Sequence, residues 1–253
     1  MNETRGKLEA GEVVVGAWLL SGSQRVAEVL SRTAVDWVGI DTEHAPYSPE
    51  RLEATVRAIE RDATPLVRLP SPEAAVAAGA KHALDAGAGG IIVPGVDDPD
   101  DAERVVRAAR FPPVGERGVA GTVRANRYGE RFEEYVASAT DETLVVVQLE
   151  SPEAIERAEA ILAVDGIDVA FVGENDLSAA LGRPGKTSHP DVEAAVSRVL
   201  EVALAADVAP GIAGRTPTTM TERAERGFRF FLLGADLTLV RNGVEGVLPE
   251  CRG

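Results

Sequence analysis

The chain has 253 residues and a formal net charge of −15, from 41 acidic and 26 basic side chains. This length suits one α/β domain with a large core. The acid excess argues against nucleic acid or a membrane as partner, because no basic stripe remains to meet phosphates. The single cysteine, Cys251, excludes an internal disulfide. No signal peptide and no apolar run of about 18 residues is present, so we expect a cytoplasmic protein with an acidic, salt-adapted surface.

Short apolar runs alternate with helical patterns along the whole chain. After a short helix at 2–10, we predict strands at 13–20, 37–41, 65–69, 90–96, 144–149, 168–172, 209–213 and 230–233. Ser-Pro-Glu follows a strand at 48–50, 71–73 and 151–153, where it supplies an N-cap, a first-turn proline and an acid suited to the helix dipole. The eight predicted strands, each followed by a helical pattern, predict a single (β/α)8 barrel domain over 1–253. A doubly wound open sheet is the alternative.

One segment interrupts this rhythm. Residues 111–142 hold a polar turn and a short amphipathic pattern at 132–138. We expect this insertion after the fourth βα unit to act as a lid or a subunit contact.

Two carboxylates end the neighbouring fifth and sixth strands of the predicted barrel, Glu150 and Asp176. Strands joined by a helix usually lie side by side, about 4.8 Å apart, so both acids should project from one rim. Two hard oxygen ligands suit Mg²⁺ or Mn²⁺, with Co²⁺ as a further candidate. The structural alternative is that Glu150 pairs with a rim arginine and Asp176 caps a helix.

Other polar residues follow the second and third strands. His44 follows Asp41, and a carboxylate bonded to one ring nitrogen would prepare the other for proton transfer. An exposed loop histidine is the alternative. Arg68 lies in a buried strand and needs an anion, which is either a structural rim carboxylate or a substrate oxyanion.

The three lysines, Lys7, Lys81 and Lys186, lie before the barrel, in a helix and in a loop. None is placed at a strand end, where a Schiff-base aldolase would need it. If the chain is a carbon–carbon lyase, a metal should therefore stabilise the enolate. The turn after the eighth strand, Gly234-Ala235-Asp236, is the better of two weak anion-binding candidates.

Assembled in order, these motifs resemble the metal-dependent pyruvate aldolases of the HpcH/HpaI type over nearly the whole chain. The resemblance is carried by Gly16-x-Trp18, Ile40-Asp41-Thr42-Glu43-His44-Ala45, Val67-Arg68, Val93-Pro94, Arg117-Gly118, Val147-Gln148-Leu149-Glu150, Gly173-x-x-Asp176-Leu177-Ser178, Gly182-x-Pro184-Gly185, His189-Pro190 and Gly234-Ala235-Asp236.

The resemblance implies a (β/α)8 barrel, often assembled as a hexamer that exchanges the last helix between subunits. It implies a divalent metal on Glu150 and Asp176, with pyruvate chelating it. Arg68 would hold the enolate oxygen and Gln148 would position pyruvate. His44, oriented by Asp41, would move the proton of the aldol hydroxyl. The backbone at Gly173, Ala235 and Asp236 would meet the substrate carboxylate.

One dipeptide departs from the pattern of that family. Glu174-Asn175 stands where Pro-Ala is usual. The additional carboxylate either faces the cation or points outward, and the acidic composition favours the outward orientation.

We therefore predict a class II aldolase that cleaves 4-hydroxy-2-oxo acids to pyruvate and an aldehyde, with the reverse addition. A citryl-CoA-type lyase with the same chemistry and a non-catalytic barrel that binds small acids are the alternatives. The sequence leaves the aldehyde open.

Overall fold

The strands of the computed structural model, which describes residues 2–252 and all their side chains except those at 250 and 252, close into a barrel. The eight strands follow chain order around the barrel and all pair in parallel. They are β1 (Val14–Leu19), β2 (Trp37–Asp41), β3 (Thr64–Arg68), β4 (Gly90–Val93), β5 (Leu144–Leu149), β6 (Val169–Val172), β7 (Ala209–Ala213) and β8 (Phe230–Ala235). The predicted (β/α)8 barrel is confirmed, and the open sheet is not.

Helices surround the barrel between these strands. They are α1 (Glu3–Glu9), α2 (Gln24–Ser31), α3 (Pro49–Ile59), α4 (Pro72–Ala74), α5 (Ala80–Asp85), α6 (Pro99–Ala109), α7 (Phe132–Glu142), α8 (Pro152–Glu156), α9 (Ala158–Leu162), α10 (Glu174–Ala180), α11 (Pro190–Ala205), α12 (Pro217–Arg226) and α13 (Asp236–Arg252). None of the helices in the described range is long and apolar enough to cross a membrane.

The three Ser-Pro-Glu motifs start helices, as predicted. Ser48, Ser71 and Ser151 each accept a hydrogen bond from a backbone N–H three residues on, at 3.3, 3.2 and 2.9 Å. This satisfies one of the donors left free at a helix start. The loops that precede these helices consequently lie at the carboxyl ends of the strands.

Aromatic side chains fill the barrel interior. The rings of Trp37 and Phe230 stack with centroids 4.4 Å apart, and Trp18 meets Trp37 edge to face at 5.7 Å. A β-carbon at Gly16 would lie 2.0 Å from the Trp37 ring, and one at Gly39 would lie 2.2 Å from Trp18. Glycine at these two positions leaves the space that the indoles occupy.

Helix α1 closes the amino end of the barrel. The Thr4 hydroxyl donates to the carbonyl of Asp36 at 3.0 Å and lies 2.7 Å from the Thr64 hydroxyl. Asn2 donates to the carbonyl of Gly89 at 2.8 Å. Substrate access to the polar strand ends is therefore from the carboxyl side.

The segment 111–142 contacts helices near the amino end. Arg124 pairs with Glu60, directly after α3, and donates to the carbonyl of Ala86 at 2.8 Å. Arg117 pairs with Asp85 at 2.7 Å and lies over the Phe111 ring. Its predicted role as lid or subunit contact stays a prediction.

Candidate active site

A cavity of about 570 Å³ opens at the carboxyl ends of the strands. It combines apolar walls with polar side chains from several strand ends, as substrate sites in barrels do. Its polar lining comes from His44, Arg68, Gln148, Glu174, Asn175, Asp176, Arg215, Thr238 and Asn242. A larger cavity of about 810 Å³ lies at the amino end beside Asp36 and Thr64, and none of the predicted site residues lines it.

Glu150 and Asp176 lie on neighbouring elements at this rim. Leu149 of β5 is in register with Val172 of β6, so Glu150 and Gly173 follow side by side. Asp176 lies in the first turn of α10. The two carboxylates are close enough for the charge of Asp176 to raise the pKa of Glu150.

Neither structural alternative for this pair is found in the described chain. Glu150 accepts from the backbone N–H of Gly95 at 3.0 Å and from Nε2 of Gln148 at 2.9 Å, rather than from an arginine. Asp176 lies inside α10, whose N-cap is Gly173.

The charge on Glu150 is poorly compensated. Burial, together with repulsion from Asp176 and Glu43, raises its pKa to about 7. Such a shift marks a carboxylate that burial and neighbouring negative charges disfavour in its ionised form. In the described range no three His, Cys, Asp or Glu side chains form a metal cluster. The half-buried Glu150 and the exposed Asp176 offer two hard oxygen ligands, which suit a hard divalent ion that keeps positions open for water and substrate.

Arg68 at the end of β3 is held by two acids. Its Nε and Nη2 donate to the Asp41 carboxylate at 3.1 and 2.6 Å, and its Nη1 lies 3.0 Å from Oε2 of Glu43. Its guanidinium also lies 4.4 Å from the centre of the Trp18 ring. These contacts lock the guanidinium in one orientation at the cavity.

Asp41 accepts hydrogen bonds from Arg68 and from the backbone of the loop that follows β2. The carboxylate that binds Arg68 also accepts from the backbone N–H groups of Glu43 and His44 at 3.0 and 3.2 Å. The carboxylate beside the imidazole is Glu43, with Oε2 lying 3.6 Å from Nε2 of His44. Any orientation of His44 by Asp41 therefore passes through the backbone of the loop.

His44 itself lines the cavity with its side chain 59% exposed. The ring is exposed in a loop, as the alternative expected, and the predicted role of His44 in proton transfer stays a prediction. Burial and repulsion from neighbouring acids raise the pKa of Glu43, although Arg68 and His44 oppose this shift.

Gln148 and Gly173 both contact Glu150. Gln148 is 3% exposed, and its Oε1 has no hydrogen-bond partner in the described chain. Gly173 donates its backbone N–H to the carbonyl of Leu149 at 3.3 Å. A β-carbon at Gly173 would overlap the Glu150 carboxylate, so the structure gives this glycine a steric role that was not predicted.

The turn after β8 is held by a side chain. Asp236 is buried, and its carboxylate accepts from the backbone N–H groups of Leu20 and Ser21 at 2.9 and 3.1 Å. Ala235 lines the cavity. Binding of the substrate carboxylate by the backbone at Ala235 and Asp236 stays a prediction.

The prediction that Glu174 points outward is wrong. Glu174 is 5% exposed and pairs with Arg223 at 2.7 Å. Because the charge cannot be left buried alone, the fold supplies an arginine from α12. The neighbouring Asn175 accepts a hydrogen bond from Arg215 at 3.0 Å.

Sequence reasoning did not assign roles to Trp18, Glu43 or Arg215. The acid-rich motif around His44 contained the signal for Glu43. Nothing near Arg215 in the sequence indicates its position, because its side-chain partner, Asn175, lies 40 residues away in the chain.

Comparison with known proteins identifies relatives over the full length. Residues 15–243 match the family model described as HpcH/HpaI aldolase/citrate lyase. The chain is 37% identical to the hydroxypyruvate/pyruvate aldolase of Paraburkholderia phytofirmans, over 99% of this chain and 98% of the relative. It is 39% identical to the 4-hydroxy-2-oxovalerate aldolase of Rhodococcus jostii, over 95% of this chain and 92% of the relative.

A solved structure of the same family has the same fold. The crystal structure of an HpcH/HpaI aldolase/citrate lyase family protein from Burkholderia cenocepacia superposes with a TM-score of 0.93 at 38% identity, covering 100% of both chains.

Proposed function

The chain belongs to the HpcH/HpaI aldolase/citrate lyase family and is a carbon–carbon lyase of the class II aldolase type, and we propose that it cleaves 4-hydroxy-2-oxo acids to pyruvate and an aldehyde. The family performs metal-dependent retro-aldol cleavage. The reverse aldol addition follows from microscopic reversibility. Mg²⁺ or Mn²⁺ is the metal we propose, in a cytoplasmic enzyme with an acidic, salt-adapted surface.

Glu150 and Asp176 would hold the metal. The poor charge compensation of Glu150 supports this role, and so does its fixed position between Gly95 and Gln148. A divalent cation at these residues would supply Lewis-acid stabilisation of the negative charge that develops on the keto oxygen of pyruvate.

Arg68 and Gln148 would orient the pyruvate part of the substrate. Arg68 is preorganised by Asp41 and Glu43, so little reorganisation is needed when negative charge develops beside it. Gln148 lies on the same cavity wall and is already bonded to Glu150.

His44 would accept the proton of the C4 hydroxyl as the C3–C4 bond breaks. The electrons of that bond pass to the pyruvate part, the aldehyde leaves, and protonation of the three-carbon enolate releases pyruvate. Exposure of the ring lets a proton exchange with solvent, and the hydrogen bond from the His44 backbone to Asp41 supports its placement.

The observation that carries this proposal is the placement of two acids, Glu150 and Asp176, on neighbouring elements at one rim, where the charge of Asp176 raises the pKa of Glu150. The experiment that tests it measures pyruvate release from a panel of 4-hydroxy-2-oxo acids, with chelator and with added Mg²⁺ or Mn²⁺. We expect chelation to abolish release and metal to restore it. Full activity in excess chelator, or cleavage of acyl-CoA substrates alone, would contradict the proposal.

Helix α13 supports assembly into a homo-oligomer, up to a hexamer. Leu237, Val240, Val244 and Val247 are 54–62% exposed, and their spacing places them along one side of the helix. Exposed apolar rows of this kind mark interaction surfaces. A neighbouring subunit would cover this row, as helix exchange requires.

A further inference from the structure

Glu174 and Asn175, at the start of α10, both bind arginines of the next βα unit. Glu174 pairs with Arg223 of α12, and Asn175 binds Arg215 between β7 and α12. Glu174 is buried and Arg223 is half-buried, whereas Arg215 is exposed and lines the cavity. The start of α10 is therefore tied by two arginines to the segment that follows β7.

The Glu174–Arg223 pair fixes the backbone beneath the cavity. Arg223 also donates to the carbonyl of Ala213, at the end of β7, at 2.8 Å. This links the start of α10 to the end of β7. Glu174 is consequently a positioning residue, and its negative charge is neutralised by Arg223.

The positive charge of Arg215, unlike that of Arg223, is not compensated by an acid of the described chain. Within the described chain it has no ion pair, and Oδ1 of Asn175 is its one side-chain partner. Apart from Arg68, it is the only arginine or lysine among the described residues that line this cavity. Arg68 is already neutralised by Asp41 and Glu43, so the uncompensated positive charge of the cavity belongs to Arg215.

Arg215 and Asn175 present hydrogen-bond donors to the cavity. A guanidinium can only donate, so the Asn175 oxygen must face it, and the Asn175 amide group retains its N–H donors. Arg215 and Asn175 together thus offer donors and one positive charge. A carboxylate accepts several such bonds and matches a guanidinium in geometry.

We propose that Arg215 and Asn175 determine acceptor specificity by binding a carboxylate at the far end of the substrate, the end released as the aldehyde. This rests on the proposed function, in which Arg68 and Gln148 orient the oxo acid end of the substrate. The substrate class is a 4-hydroxy-2-oxo dicarboxylate, and the aldehyde released carries an acid group.

The test compares two substrates of equal length. The metal-loaded full chain is assayed with 4-hydroxy-2-oxoheptanedioate, which ends in a carboxylate, and with 4-hydroxy-2-oxoheptanoate, which ends in a methyl group. We expect kcat/KM to favour the dicarboxylate at least about tenfold, because an unfilled donor pair is costly.

Variants then test whether Arg215 and Asn175 cause the preference for the dicarboxylate. Arg215→Gln should reduce kcat/KM for the dicarboxylate about 10- to 100-fold, chiefly through KM, and should collapse the preference between the two substrates. Arg215→Lys should retain part of it. Glu174→Pro combined with Asn175→Ala should also reduce the preference. Arg61→Gln, the same charge change at the amino end of the barrel, should leave both substrates unaffected.

The outcomes are distinct. Pyruvate release from both substrates without preference, or an equal loss on both in Arg215→Gln, overturns this inference and leaves the aldolase function standing. Absence of metal-dependent release from either overturns the proposed function, and this inference with it.

Discussion

Gly173 lies so close to Glu150 at the rim of the barrel that a side chain at position 173 would overlap the Glu150 carboxylate. A β-carbon on Gly173 would lie 2.3 Å from Oε2 and 2.7 Å from the β-carbon of Glu150. No side chain can be added without moving the carboxylate that we assign to the metal. The absence of a side chain on the residue directly after β6 thus sets the position of the proposed metal ligand directly after β5.

Gly173→Ala should therefore weaken metal binding. The displaced carboxylate no longer matches the ion, and we expect metal affinity, measured by calorimetry, to fall about 10- to 100-fold. Gly121→Ala is the matched control, because a β-carbon there has nothing within 4 Å. Unchanged affinity in Gly173→Ala would argue against Glu150 as a ligand.

The raised pKa of Glu150 predicts pH dependence in the metal-free protein. The folded carboxyl has a pKa of about 7, against an ordinary value of 4.5. Between these values the folded state holds a proton that the unfolded state has lost. Stability should therefore fall as pH rises from 4.5 to 7, and level off above 7.

Denaturant unfolding in chelator, compared with Glu150→Gln, isolates this contribution. The difference in free energy of unfolding between the two proteins should decline over that interval. A difference that does not vary with pH would refute the prediction. Metal competes with this proton, so apparent metal affinity should rise with pH up to about 7.

His44→Ala should separate chemistry from metal binding. Loss of the proton acceptor should reduce kcat for cleavage about 10²- to 10⁴-fold, while metal affinity stays largely unchanged because His44 is not among the proposed ligands. Steady-state kinetics and calorimetry measure the two quantities. His82→Ala, at an exposed position of α5, serves as control, and equal loss of activity in both variants would contradict the role assigned to His44.

Asp41→Ala should destabilise the fold. Asp41 is fully buried, and its removal leaves the Arg68 guanidinium without its bidentate partner. We expect the free energy of unfolding to fall by about 3–5 kcal/mol. Glu28→Ala, which breaks an exposed pair with Arg32, should cost less than about 1 kcal/mol. Similar costs in denaturant titrations of both variants would contradict this assignment.

Replacing the apolar row on α13 should shift the oligomeric state. Val240→Ser with Val244→Ser removes two of its exposed valines, and sedimentation should then show smaller particles than for the unaltered chain. Leu204→Ser, at an exposed position of α11, is the control. A monomeric unaltered chain at micromolar concentration would contradict the assembly proposal.

The sequence by itself determined the barrel and the positions of most polar candidates. Apolar runs and Ser-Pro-Glu helix starts are local signals, and they predicted where strands end and which loops share a rim. Glu150, Asp176, Arg68 and His44 followed from that order, because parallel strands present their carboxyl ends on one side.

Only the tertiary structure decided how these side chains are paired. Asp41 binds Arg68 rather than the imidazole, Glu174 turns inward to Arg223, and Arg215 reaches Asn175 across 40 residues of chain. Charge pairing depends on which side chains are buried together, and burial follows from packing between distant segments. Composition favoured an outward Glu174 because most acids are solvated, and one arginine from the next unit was enough to reverse that expectation.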